Sequence, residues 1–222
     1  TFDVTFVGCF CIYGRAVVVS VEILLMPNLP NVQNSLVAFG VAKEMDVPPA
    51  TMRKALSGFR GVKRRFTRVG EVNGIAIIDD YAHHPVEIET VLKTARSVLE
   101  EQGAKIIAIF QPHRFTRLQD LFEGFCRCFN EADTVIIADV YAAGETPIEG
   151  VNKDSLTKGI HDHGHRDSRS LISKENLPDI LAEIAKPGDY ILCMGAGDIT
   201  SWANALPAQL ADAIEKRKGR AA

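Results

Sequence analysis

The sequence lacks the long apolar run and the basic leader of membrane-inserted or exported proteins. Its most apolar stretch, residues 4–26, is interrupted by Gly8, Gly14, Arg15 and Glu22. No run therefore reaches the roughly 18 apolar residues of a membrane helix, and no basic segment precedes it as in a signal peptide. We expect a cytoplasmic protein that does not insert into membranes.

An excess of charge of one sign is also missing. The 222 residues include 25 Lys and Arg against 28 Asp and Glu, which gives a net charge of −3. This balance does not favour binding to a polyanion, so we expect no nucleic-acid partner. Hydrophobic residues make up 46% of the chain, which is enough for a sizeable core and excludes an intrinsically disordered protein.

The cysteines do not suit a disulfide framework. Five cysteines are an odd number, which is typical of reduced thiols in a reducing cytoplasm. Two Cys-x-Cys pairs occur, but zinc sites usually have two to four residues between their cysteines. His161, His163 and His165 alternate in a polar stretch that we interpret as a solvated helix end. We therefore expect no metal site.

The phosphate-binding loop G-x-x-x-x-G-K-[ST] does not occur, and the sequence contains no Gly-Lys dipeptide. This loop is the usual cradle for a transferred γ-phosphate, so any ATP chemistry has to borrow it from outside these residues. The sequence starts at Thr1 without an initiator Met, which we interpret as the start of a cut or processed product.

Turn and breaker residues indicate two domains, at residues 1–61 and 62–222. The elements predicted in the first are strands at residues 2–13 and 17–25 and helices at 31–44 and 50–56, with Pro27-Asn28-Leu29-Pro30 as the breaker between strands and helices. The second domain has about 160 residues, which is an ordinary size for one domain.

The second domain alternates between strands and helices. A hairpin comes first, with strands at residues 62–69 and 75–78 joined across residues 70–74. The later strands are predicted at residues 106–110, 135–140, 170–172 and 190–194. The helices are predicted at residues 86–101, 118–130, 153–163 and 176–185, with a last helix after Pro207. This alternation predicts an α/β, Rossmann-like domain with a mostly parallel sheet.

Polar segments follow the carboxyl ends of four predicted strands. They are residues 79–85, 111–117, 141–145 and 195–198. Ligands gather at the carboxyl ends of strands in such sheets, so the four segments are expected to converge on one edge.

The first of these segments holds one acid and two histidines. Asp80 can accept hydrogen bonds from a ribose diol, or it can balance the dipole of the next helix. His83 and His84 precede Pro85 at a helix start, where the positive helix end favours neutral imidazole. The alternative is that one histidine caps the helix and the other packs.

A dense cationic group follows the next strand. His113, Arg114 and Arg117 could clamp a carboxylate or phosphate through forked guanidinium hydrogen bonds, or they could form a solvated face. On the hairpin, strand alternation sends Lys63 and Arg65 to one side and Arg64 to the other.

Gly195-Ala196-Gly197 begins like a dinucleotide-binding turn, but Thr200 occupies the position of its third glycine. A close backbone approach to an anion or a substrate is the better interpretation of these glycines.

Six blocks occur in the order and spacing of the Mur ligases, which the sequence resembles over about residues 31–210. The blocks are Asn31-Val-Gln-Asn34-Ser-Leu, Gly61-Val-Lys-Arg-Arg-Phe66, Ile78-Asp-Asp-Tyr-Ala-His-His-Pro85, Phe110-Gln-Pro-His-Arg-Phe-Thr-Arg117, Tyr141-Ala-Ala-Gly-Glu-Thr-Pro-Ile148 and Gly195-Ala-Gly-Asp-Ile199. The block with Gln-Pro-His-Arg-Phe-Thr-Arg is similar to that of the family member that adds L-alanine.

This resemblance implies a three-domain cytoplasmic enzyme of peptidoglycan precursor synthesis. Such an enzyme uses ATP and Mg²⁺ to convert UDP-N-acetylmuramate to an acyl phosphate, which the amine of L-alanine attacks to form an amide. Residues 1–61 would be the end of the central ATP-binding domain, and residues 62–222 the whole C-terminal domain. The chain would lack the phosphate loop, be inactive alone, and hold no cofactor tightly.

The resemblance also implies roles for individual residues. Its nucleotide-binding positions are Asn31, Asn34, Arg65 and Asp80. Its catalytic positions are His83 and His84. Its substrate-binding positions are Tyr81, His113, Arg114, Arg117, Gly195 and Gly197.

One block departs from the family. The family usually has Pro-Gly-x-His-Asn before its helix, where this chain has Pro27-Asn28-Leu29-Pro30-Asn31. Two alternatives to a truncated ligase remain, namely a stand-alone module that binds a nucleotide or an amino acid, and a metal hydrolase that uses the histidines.

Overall fold

The computed structural model describes residues 4–12, 15–23, 29–58, 62–99 and 103–221, with side chains described from residue 37 onward except at residues 98, 220 and 221. The chain divides into two compact units, Thr1–Val62 and Lys63–Ala222. The identity of the first unit as the end of a central ATP-binding domain stays a prediction.

The first unit combines a hairpin with two helices. Strands β1 (Val4–Ile12) and β2 (Arg15–Ile23) pair antiparallel, and helices α1 (Leu29–Glu44) and α2 (Pro49–Gly58) follow. Phe39 of α1 and Met52 of α2 are buried in one small apolar cluster. Residues 13–14 and the Pro27-Asn28 half of the breaker lie outside the described residues.

The second unit is built on a six-stranded sheet. Its strands are β3 (Thr67–Val72), β4 (Ile75–Asp80), β5 (Ile106–Phe110), β6 (Thr134–Ile137), β7 (Ser168–Ser170) and β8 (Tyr190–Met194). The spatial order is β3-β4-β8-β5-β6-β7, with β3 antiparallel and every other pair parallel. The predicted α/β fold with a mostly parallel sheet is confirmed.

Helices cover both faces of this sheet. They are α3 (Pro85–Leu99), α4 (Phe115–Asp120), α5 (Phe122–Arg127), α6 (Lys153–Asp162), α7 (Leu177–Ile184) and α8 (Ile199–Ala221). Side chains of α3, α5 and α6 pack on one face, and those of α7 and α8 pack on the other. Burial on both faces explains why β4, β5 and β6 are continuous apolar runs.

The hairpin begins later and turns more tightly than its sequence predicts. Residues 70–72 belong to β3, and the turn is Asn73-Gly74, whose φ angles of 49° and 77° suit a two-residue hairpin turn. Residues 63–66 form turns and bends before β3, and Arg64 and Phe66 have positive φ. The alternation expected for Lys63, Arg64 and Arg65 is therefore wrong.

The last helix was predicted to follow Pro207, but α8 begins at Ile199 and contains Pro207. The proline ring lies over Gly70, where an added Cβ would be 2.5 Å from Pro207 Cγ. Packing against β3 thus favours proline inside the helix despite its missing N–H.

Smaller corrections concern element ends. The helix predicted at residues 118–130 begins at Phe115 and is divided at Leu121 into α4 and α5, while β6 ends at Ile137 and β7 occupies Ser168–Ser170. The β6 strand ends early because the next residues turn toward the loop of β5, where Tyr141 N–H donates to Pro112 O.

Helix α6 packs on α5 through Gly159, and this contact gives a prediction for stability. A Cβ at Gly159 would lie 2.5 Å from Cys126 Sγ and 3.1 Å from the Phe122 ring. We expect Gly159→Ala to destabilise the second unit by about 1–3 kcal/mol through overpacking. Unfolding by urea, followed by the fluorescence of the single tryptophan, Trp202, measures this change.

Gly219→Ala is the matched control because Gly219 is also helical but has nothing within 4 Å of its added Cβ. The higher helix propensity of alanine predicts equal or slightly greater stability for this variant. Equal urea midpoints for the two variants would contradict close packing at Gly159.

Candidate functional site

Four aromatic rings form a row along the carboxyl edge of the sheet. The ring centroids are 5.1 Å apart for Tyr81 and His83, 6.2 Å for His83 and His113, and 5.5 Å for His113 and Tyr141, the last pair stacked. These rings follow β4, β5 and β6, and we call them the aromatic row. Three of the four were predicted site residues, while Tyr141 was noted only as part of its segment.

His83 lies inside the row and is held by its neighbours. Its Nδ1 is 2.9 Å from Tyr81 O, a carbonyl that can only accept, so the proton lies on Nδ1. Its backbone N–H donates to Glu87 Oε2 at 3.0 Å. In the neutral ring, Nε2 is then a free acceptor, which suits the removal of a proton from a ligand.

His84 caps helix α3 and is not part of the aromatic row. Its Nδ1 accepts from Val86 N–H at 3.4 Å, and its own backbone N–H donates to Glu87 Oε2 at 3.2 Å. These two bonds satisfy free N–H groups at the start of α3. The geometry therefore matches the alternative in which one histidine caps, and a catalytic role of His84 stays a prediction.

Arg117 joins the aromatic row through His113. Its Nη1 donates to the Nδ1 and to the backbone O of His113, at 3.2 Å each. Desolvation lowers the pKa of His113, and the charges of Arg117, His83 and Arg114 lower it further. His113 is thus favoured in its neutral form with the proton on Nε2, which makes it a donor and leaves His83 as the acceptor.

The loops after β5 and β6 are tied together beside this pair. Arg114, with φ of 73°, donates its backbone N–H to Tyr141 O at 2.9 Å. Glu145 accepts from the backbone N–H of Thr116 at 3.1 Å and from its hydroxyl at 2.7 Å, and these bonds lower the pKa of Glu145. These bonds fix the segment that bears the exposed Arg114 side chain and the half-buried Arg117.

Asp80 is an internal anchor in this conformation. Its side chain is only 2% exposed, and its two oxygens accept from the N–H groups of Phe66, at 2.6 Å, and Ala82, at 2.8 Å. Burial raises the pKa of Asp80, although the two hydrogen bonds and Arg65 oppose the shift. Binding of a ribose by this carboxylate stays a prediction.

Arg64, rather than Arg65, extends into the site. Arg64 Nη2 donates to Gly195 O at 2.7 Å, and its Cζ lies 4.6 Å from the centroid of the Tyr81 ring. Arg65 is exposed and has no ion-pair partner among the described residues. Sequence reasoning missed Arg64 because alternation does not hold in a loop with positive φ.

Gly195 and Gly197 allow close packing within the protein. A Cβ on Gly195 would lie 2.7 Å from Gln111 O, and one on Gly197 would collide with Gln111 Oε1 and the Tyr141 ring. Gln111 also donates to Asp198 Oδ1 at 2.7 Å. The predicted close approach is thus made to protein atoms, and contact with a substrate stays a prediction.

The nucleotide-binding role of Asn31, Asn34, Arg65 and Asp80 stays a prediction. The side chains of Asn31 and Asn34 lie outside the described residues, although their backbone belongs to α1. In the second unit, Asp80 is buried and Arg65 is exposed.

Metal and thiol chemistry find no support in the described part of the chain. It contains no group of three or more His, Cys, Asp or Glu that could hold a metal ion. His163 lies at the C-terminal end of α6, where its Nε2 is hydrogen-bonded to Glu123 Oε2. Burial raises the pKa of the Cys126 thiol to about 11.

Among the described helices, none has the length and apolar character needed to cross a membrane.

The site can therefore hold a small anionic ligand and exchange a proton with it. Arg114 and Arg117 supply cationic hydrogen-bond donors for a carboxylate. When both rings beside them are neutral, His83 presents an acceptor at Nε2 and His113 a donor at Nε2. This combination suits an amino acid, whose carboxylate needs a clamp and whose amine must lose a proton before it can attack.

Comparison with known proteins gives a consistent family match. The family model described as "Mur ligase, glutamate ligase domain" matches residues 64–197, which is more than half of the chain. This range contains the whole aromatic row, both arginines of the predicted clamp and the two glycines.

Curated relatives extend the match. A UDP-N-acetylmuramate–L-alanine ligase from Methylobacterium radiotolerans is 58% identical over 188 residues, covering 85% of this chain and 40% of the relative. The ligase of the same name from Nitrobacter hamburgensis is 55% identical over 192 residues, covering 86% and 40%. The chain thus spans about two fifths of the length of these relatives.

Solved structures share the fold. The UDP-N-acetylmuramate-alanine ligase of Thermotoga maritima superposes with a TM-score of 0.69 at 26% identity, covering 92% of this chain and 43% of that one. A murein peptide ligase of Psychrobacter arcticus gives 0.65 at 27% identity, covering 88% and 39%. With its family match, its relatives and its fold in agreement, this chain belongs to the Mur ligase family.

Proposed function

We propose that this chain is a C-terminal portion of an ATP-dependent ligase that joins L-alanine to UDP-N-acetylmuramate in cytoplasmic peptidoglycan precursor synthesis. The observation that carries the proposal is the contact of His113 with Arg117 beside His83, at the sheet edge of a Mur ligase domain. The missing phosphate loop supports a portion that is inactive by itself.

The reaction needs a free amine and a fixed carboxylate. The nitrogen of L-alanine forms a bond to the acyl carbon of an acyl phosphate, the carbon–oxygen bond to phosphate breaks, and phosphate leaves while the amine gives up a proton. Arg114 and Arg117 hold the alanine carboxylate, which turns the amine toward the acyl carbon. This fixed geometry lowers the entropic part of the barrier.

The two imidazoles have different tasks. His83 Nε2 accepts the proton that the ammonium group of alanine loses, since its Nδ1 proton is engaged with Tyr81 O. His113 donates from Nε2 to an oxygen of the ligand because Arg117 occupies its Nδ1. Arg117 thus acts twice, as part of the clamp and, after burial, as the second cause that lowers the pKa of His113.

ATP with Mg²⁺ would supply the phosphoryl group that activates the carboxylate of UDP-N-acetylmuramate in the complete enzyme. Nucleotide binding by Asn31, Asn34, Arg65 and Asp80 stays a prediction, and Asp80 is buried with both oxygens bonded. In this proposal the chain contributes the residues that bind L-alanine, and the phosphate loop of the complete enzyme binds the phosphates of ATP.

A chimera tests the proposal. The part of the Methylobacterium radiotolerans ligase that matches this chain is replaced by the matching residues of this chain. We expect phosphate release from ATP that requires UDP-N-acetylmuramate and L-alanine together, and formation of the amide product by mass spectrometry. The 222-residue chain alone should release no phosphate.

Two results would contradict the proposal. One is turnover by the 222-residue chain alone, and the other is a folded chimera that binds ATP but shows no dependence on L-alanine. Calorimetry of the chain with L-alanine and with an ATP analogue then distinguishes a ligase portion from a stand-alone binding module, because such a module must bind at least one of the two ligands unaided.

The clamp makes a kinetic prediction. Arg117→Ala in the chimera should raise the KM for L-alanine about 10- to 100-fold, the loss expected for a charge-assisted hydrogen bond of about 1.5–3 kcal/mol, with little change in the KM for ATP. Arg127→Ala is the control, since Arg127 is an exposed arginine on α5 paired only with Glu123. Equal loss for both substrates would refute the clamp.

The neutral state of His113 makes a pH prediction. Its pKa in the folded chain lies below the ordinary value near 6.5, because of burial first and Arg117 second. Above pH 6.5 the group is neutral in both states. As the pH falls through the folded pKa, the stability associated with neutral His113 is lost, since protonation favours unfolding.

NMR titration of the histidine ring protons in the 222-residue chain measures this pKa. We expect Arg117→Gln to raise the His113 midpoint, whereas Arg127→Gln should not. A midpoint at or above 6.5 in the unsubstituted chain, or one insensitive to Arg117→Gln, is the opposite of what this contact predicts.

A further inference from the structure

Arg64 connects three separate segments at the carboxyl edge of the sheet. It lies in the loop before β3 with a φ of 59°. Its backbone O accepts from Tyr81 N–H at 2.8 Å, and its Nη2 donates to Gly195 O at 2.7 Å. The loop before β3, the loop after β4 and the loop after β8 thus meet at this one residue.

Tyr81 is held by Arg64 from two directions. The backbone bond fixes where the tyrosine leaves β4, and the guanidinium lies 4.6 Å from the ring centroid, within the range of a cation–π contact. Tyr81 is 36% exposed and is the outer ring of the aromatic row. Its orientation therefore depends on Arg64 more than on core packing.

The second contact of Arg64 fixes the other wall of the site. Gly195 also donates its N–H to Asp80 O, and Gly197 packs against Gln111 and the ring of Tyr141. Tyr141, at one end of the aromatic row, is thus linked to Tyr81, at the other end, through the loop after β8. The guanidinium of Arg64 contacts both this loop and Tyr81.

The hydrogen bonding of Arg64 is not optimised for stability. Its Nε is buried without a hydrogen-bond partner, as is Oδ1 of Asp79, while Nε and Asp79 Oδ2 are 3.8 Å apart. Asp79 Oδ2 accepts instead from the Thr200 hydroxyl. The guanidinium of Arg64 is directed at the Gly195 carbonyl and the Tyr81 ring, although the buried carboxylate of Asp79 lies next to it.

We propose that Arg64 is a positioning residue of the acceptor amino-acid site, whose planar guanidinium sets the orientation of Tyr81 and the distance of the Gly195 loop from the aromatic row. This inference rests on the proposed function for its kinetic consequence, but the positioning itself is independent of activity. The shape of the guanidinium is essential, because an ammonium group cannot stack on Tyr81 and bond Gly195 O at once.

Arg64→Lys is the decisive variant because it keeps a positive charge beside buried Asp79. In the chimera we expect a fall of about tenfold or more in kcat/KM for L-alanine, with less than a twofold change in the KM for ATP and an unchanged melting temperature. Arg68→Lys, an exposed substitution of the same kind on β3, is the control. The double variant Arg64→Met/Asp79→Asn, which leaves no unpaired charge, should lose at least as much.

Fluorine NMR of the 222-residue chain labelled with 3-fluorotyrosine tests positioning without activity. The resonance of Tyr81 among the four tyrosines is assigned by Tyr81→Phe. Arg64→Lys should shift or broaden that resonance and leave that of Tyr190 unchanged, and Arg68→Lys should change neither.

The outcomes separate the two proposals. An unchanged Tyr81 resonance in Arg64→Lys would overturn the positioning role, as would an unchanged kcat/KM for L-alanine in an active chimera. A shifted Tyr81 resonance together with an inactive chimera supports the positioning role and counts against the proposed function instead.

Discussion

The geometry of the site depends on one buried carboxylate, Asp80. It joins the loop before β3, through Phe66 N–H, to the loop after β4, through Ala82 N–H. Without these bonds, neither Arg64 nor Tyr81 would have a fixed place, because both lie in irregular segments beside them. Burial raises the pKa of Asp80, and the hydrogen bonds that it accepts favour its ionised form. The carboxylate at the end of a buried strand is thus a structural group that holds the neighbouring site residues in place.

The sheet order explains why glycines are required beside this anchor. Strand β8 lies between β4 and β5, so the loop after β8 leaves the sheet between the strands whose loops bear His83 and His113. Side chains at Gly195 or Gly197 would collide with Gln111 or Tyr141. With glycine at both positions, the rings that follow β4, β5 and β6 lie within 6.2 Å of their neighbours in the row. The row is therefore a consequence of topology as much as of residue type.

The sequence predicted the parallel sheet because continuous apolar runs followed by polar segments are strong signals of buried strands. It also predicted that His83, His113 and Arg117 meet, since parallel strands end at the same edge. It could not predict Arg64, because positive φ in a loop reverses the side on which a side chain lies. Pro207 was missed for a related reason: proline is a helix breaker locally, and its packing on Gly70 is visible only in three dimensions. Both failures come from tertiary contacts that override a local rule.

Backbone strain is concentrated at the carboxyl edge of the sheet, in the loops that bear the candidate site. Of the described non-glycine residues with positive φ, four lie in the loops that bear the site: Arg64, Phe66, Arg114 and Ala143. Each such conformation costs on the order of 1 kcal/mol and persists only where surrounding contacts determine it. Here those contacts are the Asp80 bonds, the Tyr141 carbonyl and the Glu145 bonds to Thr116. Helix α4 can therefore begin immediately after the strained Arg114, and Arg117 reaches back one turn to His113. A relaxed turn at Arg114 would move Arg117 away from His113 and from the place that the proposed carboxylate clamp requires.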